Sequence, residues 1–310
     1  MAAGFAMRRA LSTPSLSTMM TTPLLMQTLL DRGPRIQADN LIITKTRKGY
    51  HEIDLATHSS RAQQLASALR NAGVGFEDRV GTLMYNNARH LSLYHAVPCM
   101  GAVLHTLNVR LGLAELGYII QHAQDKVIVV DAELLPRLNE LDAAAIASVE
   151  LVVVCGVDEQ TGGWSPSTLG DQWASKTVVD FEEFVEHESS FSWPLLDENS
   201  AMGLCYTSGT TGKPKGVMYS HRSTYLHTMA SATTDAYGLS GRDVMLPVVP
   251  MFHAMAWGIP FISLMLGSRI CLTHSQTDPK DIMQTAVDLG VTFSSGVSTS
   301  ATCICNPVYD

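Results

Sequence analysis

Residues 207–216, Thr-Ser-Gly-Thr-Thr-Gly-Lys-Pro-Lys-Gly, constrain this chain more than any other stretch. They hold three glycines, four hydroxyl side chains and two lysines. Glycine accepts positive φ and puts no Cβ in the way, so such a loop can curl with its N–H groups pointing inward. A concave row of N–H groups binds anions. Ser208, Thr210 and Thr211 add short donors, Lys213 and Lys215 add positive charge, and Pro214 stiffens the turn between the lysines. This make-up suits a polyphosphate better than a single carboxylate. A flexible Gly/Ser/Thr surface loop is the bland alternative, and it leaves the two lysines and the proline unexplained.

The stretch is not the ordinary P-loop, which reads Gly-x-x-x-x-Gly-Lys-[Ser/Thr]. Thr207 stands where its first glycine belongs, and Pro214 follows Lys213. The flanks differ too. Met202 to Tyr206 and Val217-Met218-Tyr219 both favour strands, so the loop is expected to join two strands rather than open a helix.

The rest of the chain alternates strand and helix patterns. Leu41 to Thr44 reads as a strand, and Tyr50 to Ile53 leads into a helix from Asp54 to about Asn71. Asp54 is its N-cap, and Leu55, Ala62, Leu65 and Leu69 share one face. Strands are expected at 79–84, 101–104, 127–131, 151–155 and 204–206, with helices at 89–100 and 115–122. Val127 to Asp131, apolar up to its last residue, and Leu151 to Cys155 read as parallel strands buried on both faces. Residues 156–200 are polar and acidic and read as an insertion until Phe181 to His187. Beyond the loop, Ser220 caps a helix to about Thr233, Val244 to Val249 is a strand, and Trp257 to Leu266 a buried helix. Strand, helix and strand follow at 269–273, 278–289 and 291–294. The pattern predicts an α/β fold, mostly parallel sheets flanked by helices.

Composition narrows the function. The net charge is −8 and only 16% of residues are charged, with no basic stripe, which argues against nucleic acid as a partner. Cysteines at 99, 155, 205, 271, 303 and 305 form no CxxC pair and fit a reducing compartment. Residues 1–30 carry Arg8, Arg9 and many hydroxyls and no acid before Asp31, which resembles a mitochondrial presequence. A disordered leader, or initiation at Met19 or Met20, competes with that reading, so the expected location is mitochondrial or cytoplasmic. Val244 to Ser268 is uncharged and long enough to span a membrane, but Pro247, Pro250 and Pro260 would break one helix. A buried strand, loop and helix is expected there, with no transmembrane span.

Tyr206 to Val217 as a whole resembles the signature loop of the adenylate-forming superfamily, which comprises acyl- and aryl-CoA synthetases, luciferases and peptide-synthetase adenylation domains. Three further stretches resemble it: Tyr50 to Val80, Gly101 to Arg110, and Pro250-Met-Phe-His-Ala-Met-Ala-Trp257, the last being closest to medium- and long-chain fatty acyl-CoA synthetases. The resemblance implies a partial large N-terminal domain of that fold and an ATP-dependent activation of a fatty acid to acyl-AMP, with transfer to coenzyme A. It implies that Thr207, Ser208, Gly209, Thr210, Thr211, Gly212, Lys213 and Lys215 hold the nucleotide phosphates, that Lys215 neutralises charge, and that Thr207 contacts Mg2+. Alone, His253 in an apolar run reads as a hydrogen-bonded core residue and Trp257 as core packing. The resemblance instead places both at the acyl pocket, with His253 catalytic or substrate-binding and Trp257 gating a fatty-acyl tunnel.

The resemblance spans about residues 35–297 and stops before the adenine and ribose blocks, the hinge and the small C-terminal domain with its lysine. The expected organisation is therefore a leader at 1–33, an incomplete AMP-binding domain at 34–297 and a divergent tail at 298–310. The chain alone is expected to be inactive. The implied partners are fatty acid, ATP and coenzyme A, and a complete protein could form a homodimer. Activation of an aryl or other acid, or a non-catalytic ATP- or acyl-binding role, are the competing readings.

Overall fold

The computed structural model describes residues 17–156, 169–186, 188, 190–207, 212–275 and 278–296. In chain order the elements are α1 (Met26–Gln37), β1 (Leu41–Thr46), β2 (Gly49–Asp54), α2 (Leu55–Asn71), β3 (Arg79–Leu83), α3 (Ala88–Cys99) and β4 (Val103–Thr106). Then come α4 (Leu113–Ala123), β5 (Asp125–Asp131), α5 (Leu135–Asn139), β6 (Leu151–Cys155), β7 (Thr177–Asp180), α6 (Phe181–Glu186), β8 (Ala201–Thr207) and β9 (Lys215–Ser220). The last are α7 (His221–Ala232), β10 (Val244–Pro247), α8 (Ile259–Leu266), β11 (Arg269–Leu272), α9 (Pro279–Asp288) and β12 (Phe293–Ser295).

Two sheets result, one in the order β12-β10-β11-β1-β2 and the other β7-β6-β5-β3-β4-β8-β9. Every pairing is parallel except β1 with β2 and β8 with β9. The mostly parallel α/β architecture is the one expected from the alternation of patterns. β6 is buried at every position, and β5 at all but Lys126, because helices cover both faces of a parallel sheet. α3 is buried along its length apart from Arg89 and touches β1 of one sheet and β4 and β8 of the other. It is the hinge-pin of the core, and its N-cap Asn87 accepts from the His90 N–H. Asp54 caps α2 through the Thr57 N–H at 2.6 Å, and the face made by Ala62, Leu65 and Leu69 is buried as its spacing predicts.

Several elements depart from the expectation. Tyr50 to Ile53 belongs to β2, an antiparallel strand on β1, and not to a lead-in. Within 156–200, β7 extends the larger sheet and α6 buries Phe181 and Val185, so this stretch is not only an insertion. β7 has four residues and no fully buried position, too short for a periodic signal. The uncharged stretch Val244 to Ser268 is broken into β10, a turn and α8, and among the described residues no helix is long and apolar enough to cross a membrane.

The leader boundary moves as well. α1 straddles residue 33, and its Met26, Leu29 and Leu30 lie in the main core. It seats against α8 at Gly33, where an added Cβ would stand 2.6 Å from the backbone oxygen of Leu264. Backbone cannot yield as a side-chain tip can. Gly33→Ala is therefore expected to destabilise the chain by about 1–3 kcal/mol through overpacking. Thermal melting at neutral pH reads this, and an unchanged midpoint would place α1 outside the cooperative core. Residues 1–16 and the tail at 298–310 lie outside the described residues.

Candidate active site

β8 delivers the phosphate-loop sequence from the core. Met202 to Cys205 are buried, and exposure begins at Tyr206 and Thr207. β9 returns antiparallel, with Thr207 opposite Lys215 and Tyr206 opposite Gly216. The loop thus joins two strands, as the flanking residues predict. Directly opposed residues share a face, with Cβ atoms about 4.5–5.5 Å apart. Thr207 and Lys215 accordingly flank the loop mouth on one side of the hairpin, both exposed. Ser208, Gly209, Thr210 and Thr211 lie outside the described residues. Gly212 has φ +144°, a conformation that favours glycine, and open space surrounds its missing Cβ.

The two lysines are held differently. Lys213 Nζ lies 5.0 Å from the Tyr118 ring on α4. Tyr118 neighbours His122, which shares a 2.6 Å hydrogen bond with the Tyr206 hydroxyl. Burial, with the Asp125 charge adding to it, pushes the Tyr206 phenol up to about 12, so it remains a neutral hydrogen-bonding group. One turn of α4 therefore props both Tyr206 and Lys213. Lys215 leaves the strand without such a prop. Among the described residues neither lysine is ion-paired with a carboxylate, so both charges are available to an anion.

Below Tyr206 lies a pair that the sequence reading missed. His105 Nδ1 and the Asp125 carboxylate are 2.8 Å apart, both fully buried, and the His105 ring stands 5.2 Å from the Tyr206 ring. Burial pushes the Asp125 carboxyl up, and His105 opposes that shift. His105 Nε2 has no partner among the described residues. His105 sits within a stretch that carried the family resemblance, but one imidazole in a strand gives no sign of a carboxylate 20 residues away.

The opposing wall is the segment 247–258. Asn86 Nδ2 donates to the carbonyls of Pro247 and Val249, and its Oδ1 accepts from the Met251 N–H at 2.7 Å. The Tyr94 hydroxyl donates to the Met251 carbonyl. The loop leading into α3 thus clamps this wall. Asn86 and Tyr94 were also missed, because their partners are backbone atoms about 160 residues on.

Where the sequence predicted a helix from Trp257, residues 254–258 instead form a left-handed turn, with φ of 45°, 50°, 48°, 53° and 78°. Left-handed conformations disfavour non-glycine residues by about 1–2 kcal/mol each. Tertiary contacts offset this. Met255 and Ala256 are buried, and the Met255 side chain fills the space beside Gly203 of β8, where a Cβ would stand 2.6 Å from its Cε. The N–H groups of Ala254 and Met255 donate to Cys205 Sγ, which also contacts Thr106 Oγ1 at 3.3 Å. Burial pushes the Cys205 thiol up, so it acts as a neutral structural acceptor. The turn is therefore fastened to the strand that carries Thr207, two residues from it. Trp257 is half-buried at the turn's end, and His253 is exposed at its start rather than in the core. His221 heads α7 behind a Ser220/Ser223 capping box; its Nδ1 accepts the Met26 N–H, a structural role.

The lysine-bearing hairpin and the clamped turn are thus fastened together within one two-sheet α/β domain. The sequence pattern of the AMP-binding enzymes matches residues 30–307, and the chain belongs to that family. It is 39% identical over 291 residues to a 3-methylmercaptopropionyl-CoA ligase of Ruegeria lacuscaerulensis, covering 92% of this chain and 51% of that protein. It is also 39% identical over 285 residues to a long-chain-fatty-acid–CoA ligase of Thermus thermophilus, covering 91% and 49%. The crystal structure of a Brucella canis acyl-CoA synthetase shares the fold, with TM-score 0.77 at 18% identity over 92% of this chain and 49% of that one. The chain spans about half the length of the curated relatives it matches.

Proposed function

We propose that this chain forms the phosphate-gripping, acid-binding half of an ATP-dependent acid–CoA ligase, with a fatty acid as the carboxylate activated. In this reading the carboxylate oxygen attacks the α-phosphorus of ATP, and pyrophosphate leaves. The thiol sulfur of coenzyme A then attacks the acyl carbon, and AMP leaves. The observation that carries the reading is the β8–β9 hairpin, which presents Thr207 and Lys215 side by side, with no carboxylate paired to Lys215 among the described residues. Preorganised donors and cations are what a departing pyrophosphate requires. Ser208 to Gly212 would contribute N–H and hydroxyl donors, Lys213 and Lys215 the charge.

Magnesium fits as an ion carried by the nucleotide. Among the described residues no group of three His, Cys, Asp or Glu could hold a metal by itself. Thr207 offers one exposed hydroxyl, which suits an ion that keeps several waters and binds substrate phosphates. When bound, it would neutralise phosphate charge. The fatty-acid assignment is supported by a relative named as a long-chain-fatty-acid–CoA ligase and by the half-buried Trp257 at the end of the clamped turn. The relatives' names range from a short thioether acid to long chains, so the length of the acid is a question for assay.

The test uses this chain extended by the remaining length its relatives possess, assayed for ATP–pyrophosphate exchange over an acid panel. Lys215→Ala should remove a charge-assisted contact of about 1.5–3 kcal/mol, or roughly 10- to 100-fold in exchange efficiency. Exchange unchanged within about twofold would take Lys215 out of the site. Exchange unresponsive to every fatty acid would overturn the fatty-acid assignment.

A further inference from the structure

A cavity of about 320 Å³ lies away from the hairpin, at the C-terminal ends of β1, β5 and β11 and against the first turn of α3. None of its lining residues belongs to β8, β9 or the 247–258 wall. Crevices beyond the carboxyl ends of parallel strands are where open α/β sheets take ligands.

Its charge runs against that of the whole. The chain carries 29 acids and 21 Lys and Arg, yet Lys45, Arg47, Arg61 and Arg89 line this cavity against only Glu133 and Glu182. Arg47 pairs with Glu133 at 3.3 Å. Glu182 is shared by both other arginines, at 2.6 Å from Arg61 Nη2 and 2.8 Å from Arg89 Nε. One carboxylate therefore neutralises two guanidiniums, and one positive charge is left over. Arg89 Nη1 donates to the Gly156 carbonyl, while Arg89 Nη2 and Arg61 Nη1 have no acceptor among the described residues. Asp131, the next carboxylate, lies within electrostatic reach of Arg89 but makes no ion pair with it, and accepts from the Tyr85 N–H and from Asn87 Nδ2. His274, which also lines the cavity, stands 3.9 Å from its oxygen. Thr57, Ser92 and Ser275 add hydroxyls to the lining.

We propose that this cavity binds a phosphoryl anion, as free phosphate or as a small phosphate ester, between Arg61 and Arg89. Two guanidinium forks with hydroxyls around them match an oxyanion that offers several acceptor oxygens. The volume exceeds what a bare phosphate fills, so an organic body can be held beside Thr57 and Ser92. Glu182 occupies the anion's place when the cavity is empty and must yield part of its pairing when it is filled.

The test titrates the 310-residue chain, and separately its Lys215→Ala variant, with inorganic phosphate and with AMP, followed by calorimetry and by the thermal midpoint. Saturable binding is expected in both proteins, since the hairpin lysine plays no part here. Arg61→Gln and Arg89→Gln should each weaken it about tenfold, the loss of one charged contact. Glu182→Gln should tighten it about tenfold, a gain that misfolding cannot imitate. Tighter binding of AMP than of phosphate identifies an ester as the ligand, and equal binding identifies free phosphate; either supports the site. No saturable binding to the folded chain, binding abolished by Lys215→Ala but kept by both arginine variants, or weaker binding in a folded Glu182→Gln protein would each overturn it.

Discussion

Between pH 7 and pH 4 the chain is expected to lose most of its stability, and histidines cause it. His90, His95 and His221 are each pushed down to about 4 by burial, and His58 is pushed well below the usual value by burial and by its neighbour His95. The neutral forms satisfy their surroundings. His90 Nδ1–H faces the Tyr85 carbonyl at 3.0 Å, and its Nε2 faces the Thr82 hydroxyl at 3.0 Å. His95 Nε2–H faces the Pro260 carbonyl, so its Nδ1 is left to accept from His58 Nε2–H at 2.7 Å. Charging both members of that pair would set two like charges in contact in the core.

The sign follows from linkage. These groups titrate near 6.5 when unfolded and lower when folded, so between the two values the unfolded state binds more protons. Stability is complete above about pH 6.5 and falls as pH drops toward 4. A gap of about 2.5 units is worth about 3 kcal/mol for His90 alone. Several such groups rival a whole domain's typical margin of about 5–15 kcal/mol. Asp125 and Asp131, whose carboxyls burial pushes up, oppose the trend where they titrate. Urea midpoints measured from pH 7 to pH 4.5 should decline steadily, and the slope should be shallower in His90→Gln. A flat midpoint down to pH 5 would show that the histidines are not buried as described.

Asp125→Ala is expected to cost about 3–5 kcal/mol, the usual penalty for removing one partner of a buried pair. His105 already lacks a partner at Nε2, so the substitution would leave both ring nitrogens unsatisfied in the core. Asp125→Asn keeps an acceptor and should cost less. Because the His105 ring packs against Tyr206, Asp125→Ala should also loosen the hairpin's base, read as faster amide exchange at Tyr206 and Thr207. A loss below about 1 kcal/mol would mean the pair contributes no more than a surface ion pair.

How much of this could be read without coordinates differs from element to element. α2 was legible because its cap and its apolar face are both written within 17 residues, and the local pattern agrees with the burial it meets. β5 and β6 were legible for the same reason: their apolar runs are what a doubly covered parallel strand demands. β2 and β7 were not, since each owes its place to a partner distant in sequence and carries no long period of its own. α1 does have its buried Met26, Leu29, Leu30 and Gly33 at helical spacing, a period that the leader reading passed over. The turn at 254–258 is the sharpest case, since Met255, Ala256 and Trp257 disfavour positive φ, and only the seat beside Gly203 and the Cys205 acceptor hold them there.

The same division runs through the candidate site. Residues 202–219 by themselves pointed to a strand–loop–strand unit and to the family to which the chain belongs, because backbone freedom and charge are properties of adjacent residues. Tertiary structure alone decided that Lys215 stands opposite Thr207, that Tyr118 holds Lys213, that Asn86 clamps the opposing wall, and that Arg61 and Arg89 meet over one carboxylate. Apart from Thr207 and Lys215, which the hairpin register sets opposite each other, those are encounters between groups tens to hundreds of residues apart. They come from the register and layering of two sheets around α3, which no local pattern encodes.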